Sequence, residues 1–269
     1  MLAGFGVPRK FDRDRIIFDR RPQNHEEKRL PWAHLPLCSQ LCRVILDEHT
    51  GVRGSGEDLK SYLNQLGGLD SWKCRNAFGR AFSGAEAVSL GGISAETYRL
   101  CLKVVPMGDI NAVDLAQSCH EALLIRYWGL KEEQQLIYGL PLPRGPVLEG
   151  VHIDDHIVIG LCQKGMLLNT VGPDTACVEA SARAYEGHNV EKSPEKSFGF
   201  CAGPNSSACP NFTAWGTEVT SDPGTAGAPW VKRCQLFGIG LRLVSGDFVN
   251  IGILRRFVAC CIHPFMHFK

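Results

Sequence analysis

The chain has 269 residues, 44% of them hydrophobic and 21% charged, with a formal net charge of +1 at pH 7. This composition can bury a sizeable core as one large domain or two small lobes, and it argues against non-specific nucleic-acid binding by a wholly basic surface. No run of about 18 apolar residues occurs and no signal-peptide pattern opens the sequence, so neither a membrane span nor a membrane partner is expected. The expected location is intracellular, in the cytoplasm or the nucleus.

The twelve cysteines are too sparse for a disulfide framework, and none of them forms a Cys-x-x-Cys pair. We therefore predict reduced, mostly buried thiols rather than ligands of a structural zinc site. A fold held by cross-links is accordingly not expected.

The first segment, residues 9–29, concentrates basic side chains among interleaved acids. Its composition predicts a solvated segment crossed by salt bridges. Inside it runs Arg15-Ile16-Ile17-Phe18-Asp19-Arg20-Arg21-Pro22-Gln23-Asn24, in which an arginine precedes an apolar triplet, an aspartate and a second arginine. Further along, a short helix is predicted around Leu37 to Leu46, and Gly54 to Gly56 are predicted to mark a change of element.

Asp58 opens the next predicted element. The order Asp58-Leu59-Lys60, followed by Tyr62, is typical of a helix N-terminus in which an aspartate caps the first turn. Residues 67–97 are rich in Gly, Ala and Ser and carry no motif that can be assigned.

A strand and a helix are predicted on either side of a Pro-Met-Gly turn. Residues 98–104 alternate large apolar and polar side chains and stop at Pro106-Met107-Gly108. Asp109 then caps a helix that has one apolar face and that Gly129 ends. That face is formed by Ala112, Leu115, Ala116, Cys119, Ala122 and Leu123.

Two adjacent aspartates lie at the centre of the most informative stretch, residues 151–159. Apolar residues with a two-residue period flank Asp154 and Asp155, which predicts two short strands that meet at an acidic turn within a hairpin at 148–160. Neighbouring carboxylates repel each other unless a cation is held between them. The alternative is an exposed turn in which both aspartates stay solvated.

One further helix is predicted after the hairpin. Pro173-Asp174 begins it, and it ends at Gly187. The segment 188–196, which carries Lys192 and Lys196, follows, and Trp215-Gly216-Thr217-Glu218-Val219 comes after a loop rich in Gly, Cys and Ser. The remaining tail has scattered helix-like apolar spacing.

In this order, the blocks resemble the reverse transcriptase family of retroelements. The segment 15–24 is similar to the family's fingers block, and Asp58-Leu59-Lys60 looks like its first palm block. The Pro-Met-Gly turn with its helix is similar to the second palm block, and residues 152–155 resemble the palm hairpin, with His152 where Tyr or Phe is usual. The segments 188–196 and 215–219 resemble the turn after the palm helix and the primer-supporting strand.

The resemblance implies an α+β fold with a right-hand polymerase palm, in which helices back an antiparallel sheet, together with partial fingers and a short thumb or connection stub. The implied division of the chain is 1–57 for partial fingers, 58–66 for a palm motif, 67–97 for a fingers insertion, 98–219 for the palm and 220–269 for the thumb or connection stub.

The implied activity is template-directed nucleotidyl transfer by an RNA-directed DNA polymerase that uses two Mg²⁺ or Mn²⁺ ions. The implied metal ligands are Asp58, Asp154 and Asp155. Lys192, preferred to Lys196, is implied to assist departure of the leaving group. The partners would be an RNA or DNA template with its primer, and deoxynucleoside triphosphates.

The resemblance also implies substrate contacts. Arg15 would contact the triphosphate of the incoming nucleotide, with Lys10 as a weaker candidate for a second phosphate contact. Leu63 falls where the family usually has the bulky aromatic that closes against a ribose 2'-hydroxyl. The second palm block, whose helix lies under the template and the nascent base pair in the family, would contribute Met107, Gly108 and Gln117.

Two other functions are compatible with the same residues. A degenerate, element-derived palm would keep the carboxylates and act as a binding or scaffold protein without catalysis. A metal-dependent hydrolase would hold Zn²⁺, Mn²⁺ or Fe²⁺ with His152, Asp154 and His156, which strand alternation is expected to put on one side of the hairpin.

Overall fold

The chain divides into two compact units. The computed structural model describes the backbone of residues 3–9, 13–203, 206–246 and 250–265, and the side chains of 18–203, 206–246, 250–262 and 264. The first unit is drawn from Met1–Ala33 and Lys60–Cys119, and the second from His34–Leu59 and His120–Lys269.

The described residues form ten strands and six α-helices, joined by turns and short 3-10 helices. The strands are β1 (Ala3–Arg9), β2 (Arg13–Asp19), β3 (Thr50–Asp58), β4 (Ala77–Ser83), β5 (Thr97–Cys101), β6 (Val147–His152), β7 (Asp155–Gln163), β8 (Asn211–Ala214), β9 (Thr217–Thr220) and β10 (Thr225–Gly227). The helices are α1 (Arg21–Glu26), α2 (Gly84–Ala87), α3 (Ala112–Arg126), α4 (Pro173–Gly187), α5 (Trp230–Val244) and α6 (Ile251–Phe265). This mixture of helices and antiparallel sheets confirms the predicted α+β class.

The second unit is built on a three-stranded antiparallel sheet in the order β3-β7-β6. β7 is central, and its register places Asp58 of β3 and His152 of β6 on either side of Asp155. Because side chains alternate along a strand, every second residue of β7 points to the same face of the sheet. The two faces are covered by different elements.

One face of this sheet packs on a second antiparallel sheet in the order β10-β9-β8. Leu148, Ile157 and Ile159 meet Phe212 and Val219 there in one buried cluster. The other face packs on α4, where the apolar contact is made by Val147, Val158, Cys177 and Val178. The strand ends that carry the acidic residues are therefore fixed by packing on both faces.

A buried ion pair fastens the start of α4 to β3. Arg53 Nε lies 2.7 Å from Asp174 Oδ2, and Arg53 Nη2 lies 2.7 Å from Asp174 Oδ1. The guanidinium also donates to the carbonyl oxygens of Met166 and Asn169. Asp174 occupies the space above Gly160 of β7, where an added Cβ would come within 2.6 Å of the carboxylate.

The first unit contains two antiparallel strand pairs, β1 with β2 and β4 with β5, and the first half of α3. Arg20 is buried and joins its parts: its guanidinium lies 2.7 Å from Glu27 and 2.8 Å from Asp109, and it also contacts Asn76. A cavity of about 330 Å³ lies beside this arginine.

Two sequence predictions about β3 are wrong. Gly54 and Gly56 do not mark a change of element, and Asp58 does not cap a helix, because all three belong to one nine-residue strand. The rings of Phe212 and Phe198 lie where side chains at the two glycines would be, only 2.7 and 2.3 Å from an added Cβ. The glycines thus serve close packing in a strand, and pairing with β7 overrides local propensity.

Other predicted elements agree with the structure to different degrees. The acidic hairpin, the helix that ends at Gly187 and the helix after Asp109 are confirmed as β6–β7, α4 and α3. The strand predicted at 98–104 is the shorter β5. The helix predicted around 37–46 is a 3-10 helix, Cys38–Arg43, and the strand predicted at 215–219 starts only at Thr217, since Trp215 and Gly216 form the turn before it.

Neither a disulfide bond nor a membrane-spanning helix occurs in the described part of the chain. The cysteines of the described ranges are free thiols, but the prediction that most of them are buried is wrong: only Cys38 and Cys177 are buried there, and Cys74, Cys119, Cys234 and Cys260 are exposed. No helix within the described ranges has the length and apolar character that crossing a membrane requires.

Candidate active site

The turn between β6 and β7 consists of Ile153 and Asp154. Ile153 has a φ of +59°, which is rare for a β-branched residue and costs about 1–3 kcal/mol, so it persists only where surrounding contacts impose it. Two such contacts hold the turn: the Asp154 carbonyl accepts a hydrogen bond from the Leu59 amide at 2.8 Å, and the Ile153 carbonyl lies 2.8 Å from Nδ1 of His120. The turn is thereby fixed against both β3 and α3.

Three aspartates belong to this end of the sheet. Asp58 and Asp155 are register partners on the same face, and Asp154 directly precedes Asp155. Burial, together with the negative charges of Asp154 and Asp58, raises the pKa of Asp155 to about 7. Burial also raises the pKa of Asp154. The carboxylates therefore repel one another enough to favour either a proton or a cation among them.

A lysine already supplies one positive charge. Lys196 Nζ lies 2.6 Å from Oδ2 of Asp58. The other oxygen of Asp58, Oδ1, is buried and has no hydrogen-bond partner among the described residues. A buried acceptor without a donor is costly, so this oxygen favours either a proton on the neighbouring Asp155 or a cation beside it.

A cavity of about 270 Å³ opens beside Asp58 and Asp155. Lys196, Phe198 and Trp215 form part of its wall. Trp215 reaches the sheet because Gly150 of β6 has no side chain: an added Cβ would come within 2.1 Å of the indole ring. The acidic residues thus border a concave space with an aromatic wall.

The opposite face of β3 carries a separate polar pair. Glu57 is adjacent to Asp58 in the strand and so points away from it, and its Oε1 lies 2.9 Å from Nζ of Lys192. The sequence interpretation preferred Lys192 to Lys196 near the reacting phosphates, and its assignment remains a prediction. Lys196 is the lysine that the structure brings to Asp58, and no local pattern distinguishes the two in the sequence.

Comparisons with known proteins bear on the fold. No family model and no curated protein matches the sequence. Among solved structures, the foamy viral protease-reverse transcriptase dRH in complex with double-stranded DNA matches with a TM-score of 0.60 and 12% identity over 96% of this chain. The foamy viral protease-reverse transcriptase in complex with double-stranded DNA matches with a TM-score of 0.56 and 12% identity, also over 96% of this chain.

The fold is reverse-transcriptase-like. This chain spans 35% and 41% of the length of those two foamy viral proteins. At such low identity the likeness concerns the reverse-transcriptase-like fold alone, and the chemistry has to be argued from the residues of this chain.

Four other predicted site residues, Leu63, Met107, Gly108 and Gln117, belong to the first unit, and their roles remain predictions. Leu63 is half-buried in the 3-10 helix Tyr62–Asn64 of the first unit, and Gln117 is fully buried in α3. Met107 is partly exposed in the turn before α3, and Gly108, with φ of +102°, accepts a hydrogen bond from the Asn24 side chain.

The predicted triphosphate contacts are at the edge of what is described. Arg15 is opposite Val7 in the β1–β2 pair, but its side chain lies outside the described residues, as does the whole of Lys10. Their roles remain predictions.

The arrangement proposed for a metal-dependent hydrolase is wrong. His152 pairs with Asp155, whereas His156 pairs with Val151, so the two imidazoles point to opposite faces of the sheet. The reason is the two-residue turn, which changes the alternation between β6 and β7. His152 lies near Trp215, with 6.3 Å between ring centroids, while His156 is buried 3.5 Å from Glu149.

The acidic cluster can be tested for its fit to metal. No three His, Cys, Asp or Glu side chains among the described residues are gathered into a cluster that could hold an ion. Magnesium, however, is usually bound by one or two carboxylates together with water and substrate phosphates. Asp58 and Asp155, with the unpartnered Oδ1 and the raised pKa of Asp155, fit that requirement.

Proposed function

We propose that this chain performs template-directed nucleotidyl transfer, extending a primer with deoxynucleotides on an RNA or DNA template. The observation that carries the proposal is the facing pair Asp58 and Asp155, next to Asp154, at the edge of a 270 Å³ cavity in a reverse-transcriptase-like fold. Paired carboxylates beside an open cavity are what phosphoryl transfer assisted by divalent ions requires.

Each residue of the cluster has a distinct role in this proposal. Asp58, Asp154 and Asp155 would hold Mg²⁺ or Mn²⁺, which when bound supplies positive charge to the primer hydroxyl and the phosphates. Asp58 forms an ion pair with Lys196, and the half-exposed side chain of Lys196 would turn toward a phosphate when one binds. Lys192, which forms a salt bridge with Glu57 on the opposite face of β3, is the other candidate for neutralising the leaving pyrophosphate.

The cavity beside the carboxylates suits the end of a primer. Trp215 and Phe198 offer apolar ring surfaces, and sugars and bases pack well on such surfaces. Both neighbours in the structural comparison were solved with double-stranded DNA, which supports a nucleic-acid duplex as the partner of this face. In the proposal Arg15 contacts the triphosphate, and Leu63, Met107, Gly108 and Gln117 surround the nascent base pair.

The predicted division into partial fingers, palm and thumb or connection stub is part of the same proposal. The palm would comprise 58–66 and 98–219, with fingers at 1–57 and 67–97 and the stub at 220–269. These boundaries follow the motif blocks rather than the compact units.

Primer extension tests the proposal directly. The protein is incubated with a labelled primer on an RNA template, deoxynucleotides and Mg²⁺ or Mn²⁺. Asp58→Asn and Asp154→Asn are expected to reduce incorporation below detection while the circular dichroism spectrum stays unchanged. Asp70→Asn is the matched control, since Asp70 is exposed and forms a salt bridge with nearby Lys73, and it should extend like the parent. Full extension by Asp154→Asn would refute the assignment.

A degenerate, binding-only palm is the second candidate. It is favoured by the 2.6 Å contact of Lys196 with Asp58, because a lysine in that position can replace a cation permanently. Anisotropy with a labelled duplex separates the two functions: tight binding by a folded protein that extends no primer with either metal would select the binding function.

A further inference from the structure

A buried histidine lies behind the acidic hairpin. His120 of α3 is fully buried, with Nδ1 2.8 Å from the Ile153 carbonyl and Nε2 2.8 Å from the Tyr185 hydroxyl of α4. Neither the sequence motifs nor the proposed chemistry uses this residue. It nevertheless connects two helices to the turn that presents the carboxylates.

The partners of His120 determine which ring nitrogen carries the proton. A carbonyl oxygen only accepts hydrogen bonds, so Nδ1 must donate to Ile153. Burial and the nearby His156 lower the pKa of His120 to about 3, so the ring is neutral and Nε2 accepts from the Tyr185 hydroxyl. Tyr185 thereby selects the tautomer that can hold the turn.

The turn is held at two successive carbonyls. The Ile153 carbonyl accepts from His120, and the next carbonyl, that of Asp154, accepts from the amide of Leu59, the residue after Asp58. Ile153 is in a left-handed conformation that local preference disfavours, so its geometry depends on these bonds. The positions of Asp154 and Asp155 relative to Asp58 follow from them.

We infer that His120 is a positioning residue that fixes the strained Ile153 turn and so sets the spacing of the three carboxylates, with Tyr185 fixing the tautomer of His120. The inference rests on the proposed function for what the carboxylates bind. The link from His120 to the turn is independent of it. Substituting a residue that orients the ligands of a metal through hydrogen bonds commonly changes the metal affinity by about 10- to 100-fold.

Two substitutions separate the two ring nitrogens. His120→Asn keeps a donor at the place of Nδ1, and His120→Gln keeps a polar group near the place of Nε2 but removes the donor to Ile153. Tyr185→Phe removes only the hydroxyl that selects the tautomer. The inference predicts that the Gln variant disturbs the turn, that the Asn variant preserves it, and that the Phe variant has an intermediate effect.

Amide hydrogen exchange, followed by NMR, gives a readout that needs no activity. In His120→Gln the Leu59 amide should exchange about fivefold faster or more, whereas the amide of Gly54 in β3, which donates to the Cys209 carbonyl, should be unchanged. His120→Asn should keep the Leu59 amide close to the wild-type rate. Equal acceleration at Leu59 and Gly54 would mean a general packing role and would overturn the inference, as would no change at Leu59 in the Gln variant.

Binding of Mn²⁺ alone, measured by electron paramagnetic resonance, is the second readout. The dissociation constant should rise about tenfold in His120→Gln and stay near that of the wild type in His120→Asn. If amide exchange and Mn²⁺ binding change as expected but the wild type extends no primer, the proposed polymerase function is refuted and the positioning role of His120 is supported. Conversely, equal Mn²⁺ affinity and equal extension in the Gln variant, with Asp154→Asn inactive, would refute the positioning role alone.

Discussion

The buried pair Arg53 and Asp174 allows a sharp stability prediction. Their side chains are 2% and 5% exposed, and two parallel contacts of 2.7 Å join them. In Arg53→Met, the carboxylate of Asp174 keeps its buried position but loses its cation. Breaking a buried pair from one side costs about 3–5 kcal/mol, which is a large share of the roughly 5–15 kcal/mol that stabilises a typical domain.

Urea denaturation of a double-mutant cycle measures this cost. Arg53→Met should lower the transition midpoint by about 1–2 M. Adding Asp174→Asn to Arg53→Met should return part of the loss, since it removes the uncompensated charge, and the coupling energy should be about 2 kcal/mol or more. A loss under about 1 kcal/mol for Arg53→Met, or additive single effects, would refute the reasoning.

Three further predictions concern other buried groups. The pKa of His120 is lowered to about 3 in the folded protein, whereas it is about 6.5 in the unfolded chain, so the unfolded state binds more protons between these two pH values. The free energy of unfolding should therefore fall by up to about 1.4 kcal/mol per pH unit as pH drops from 6.5 toward 3. Parallel profiles of stability against pH for the parent and His120→Asn would contradict this. Gly150→Ala should cost about 1–3 kcal/mol in thermal denaturation through its clash with Trp215, and much less in a Trp215→Leu background. Thiol titration should label exposed Cys74 rapidly but buried Cys177 only after unfolding, since burial also raises the pKa of the Cys177 thiol; equal rates in the native protein would be inconsistent with that.

The sequence predicted best those elements whose signals are local. The β6–β7 hairpin and α4 are encoded by apolar periodicity together with Pro, Asp and Gly at their ends, and both are confirmed. β3 could not be predicted in the same way, because its glycines suggest a turn until Phe198 and Phe212 are known to cover them. The partners lie more than 140 residues away in the sequence.

The candidate site was recognised by residue type but not by local geometry. The sequence named Asp58 together with the acidic hairpin as a metal ligand, which remains a prediction; the register pairs Asp58 with Asp155, yet Asp58 ends a strand rather than beginning a helix. The side of the sheet that His156 faces depends on the two-residue turn, which alternation within a single strand does not reveal. His120 carried no sequence signal, because its importance comes from a contact with a backbone carbonyl 33 residues away.

The aromatic rings that pack over glycines in this sheet also limit which substitutions are tolerated at these positions. Phe198 over Gly56 and Trp215 over Gly150 each fill one volume from the loop side, while the strand contributes no side chain. A large side chain on the strand could fill the same volume if the loop residue were small. A substitution at one position of a pair is therefore tolerated only together with a compensating substitution at the other. A related chain that carried such an exchange would differ at both positions of the pair while keeping the same backbone.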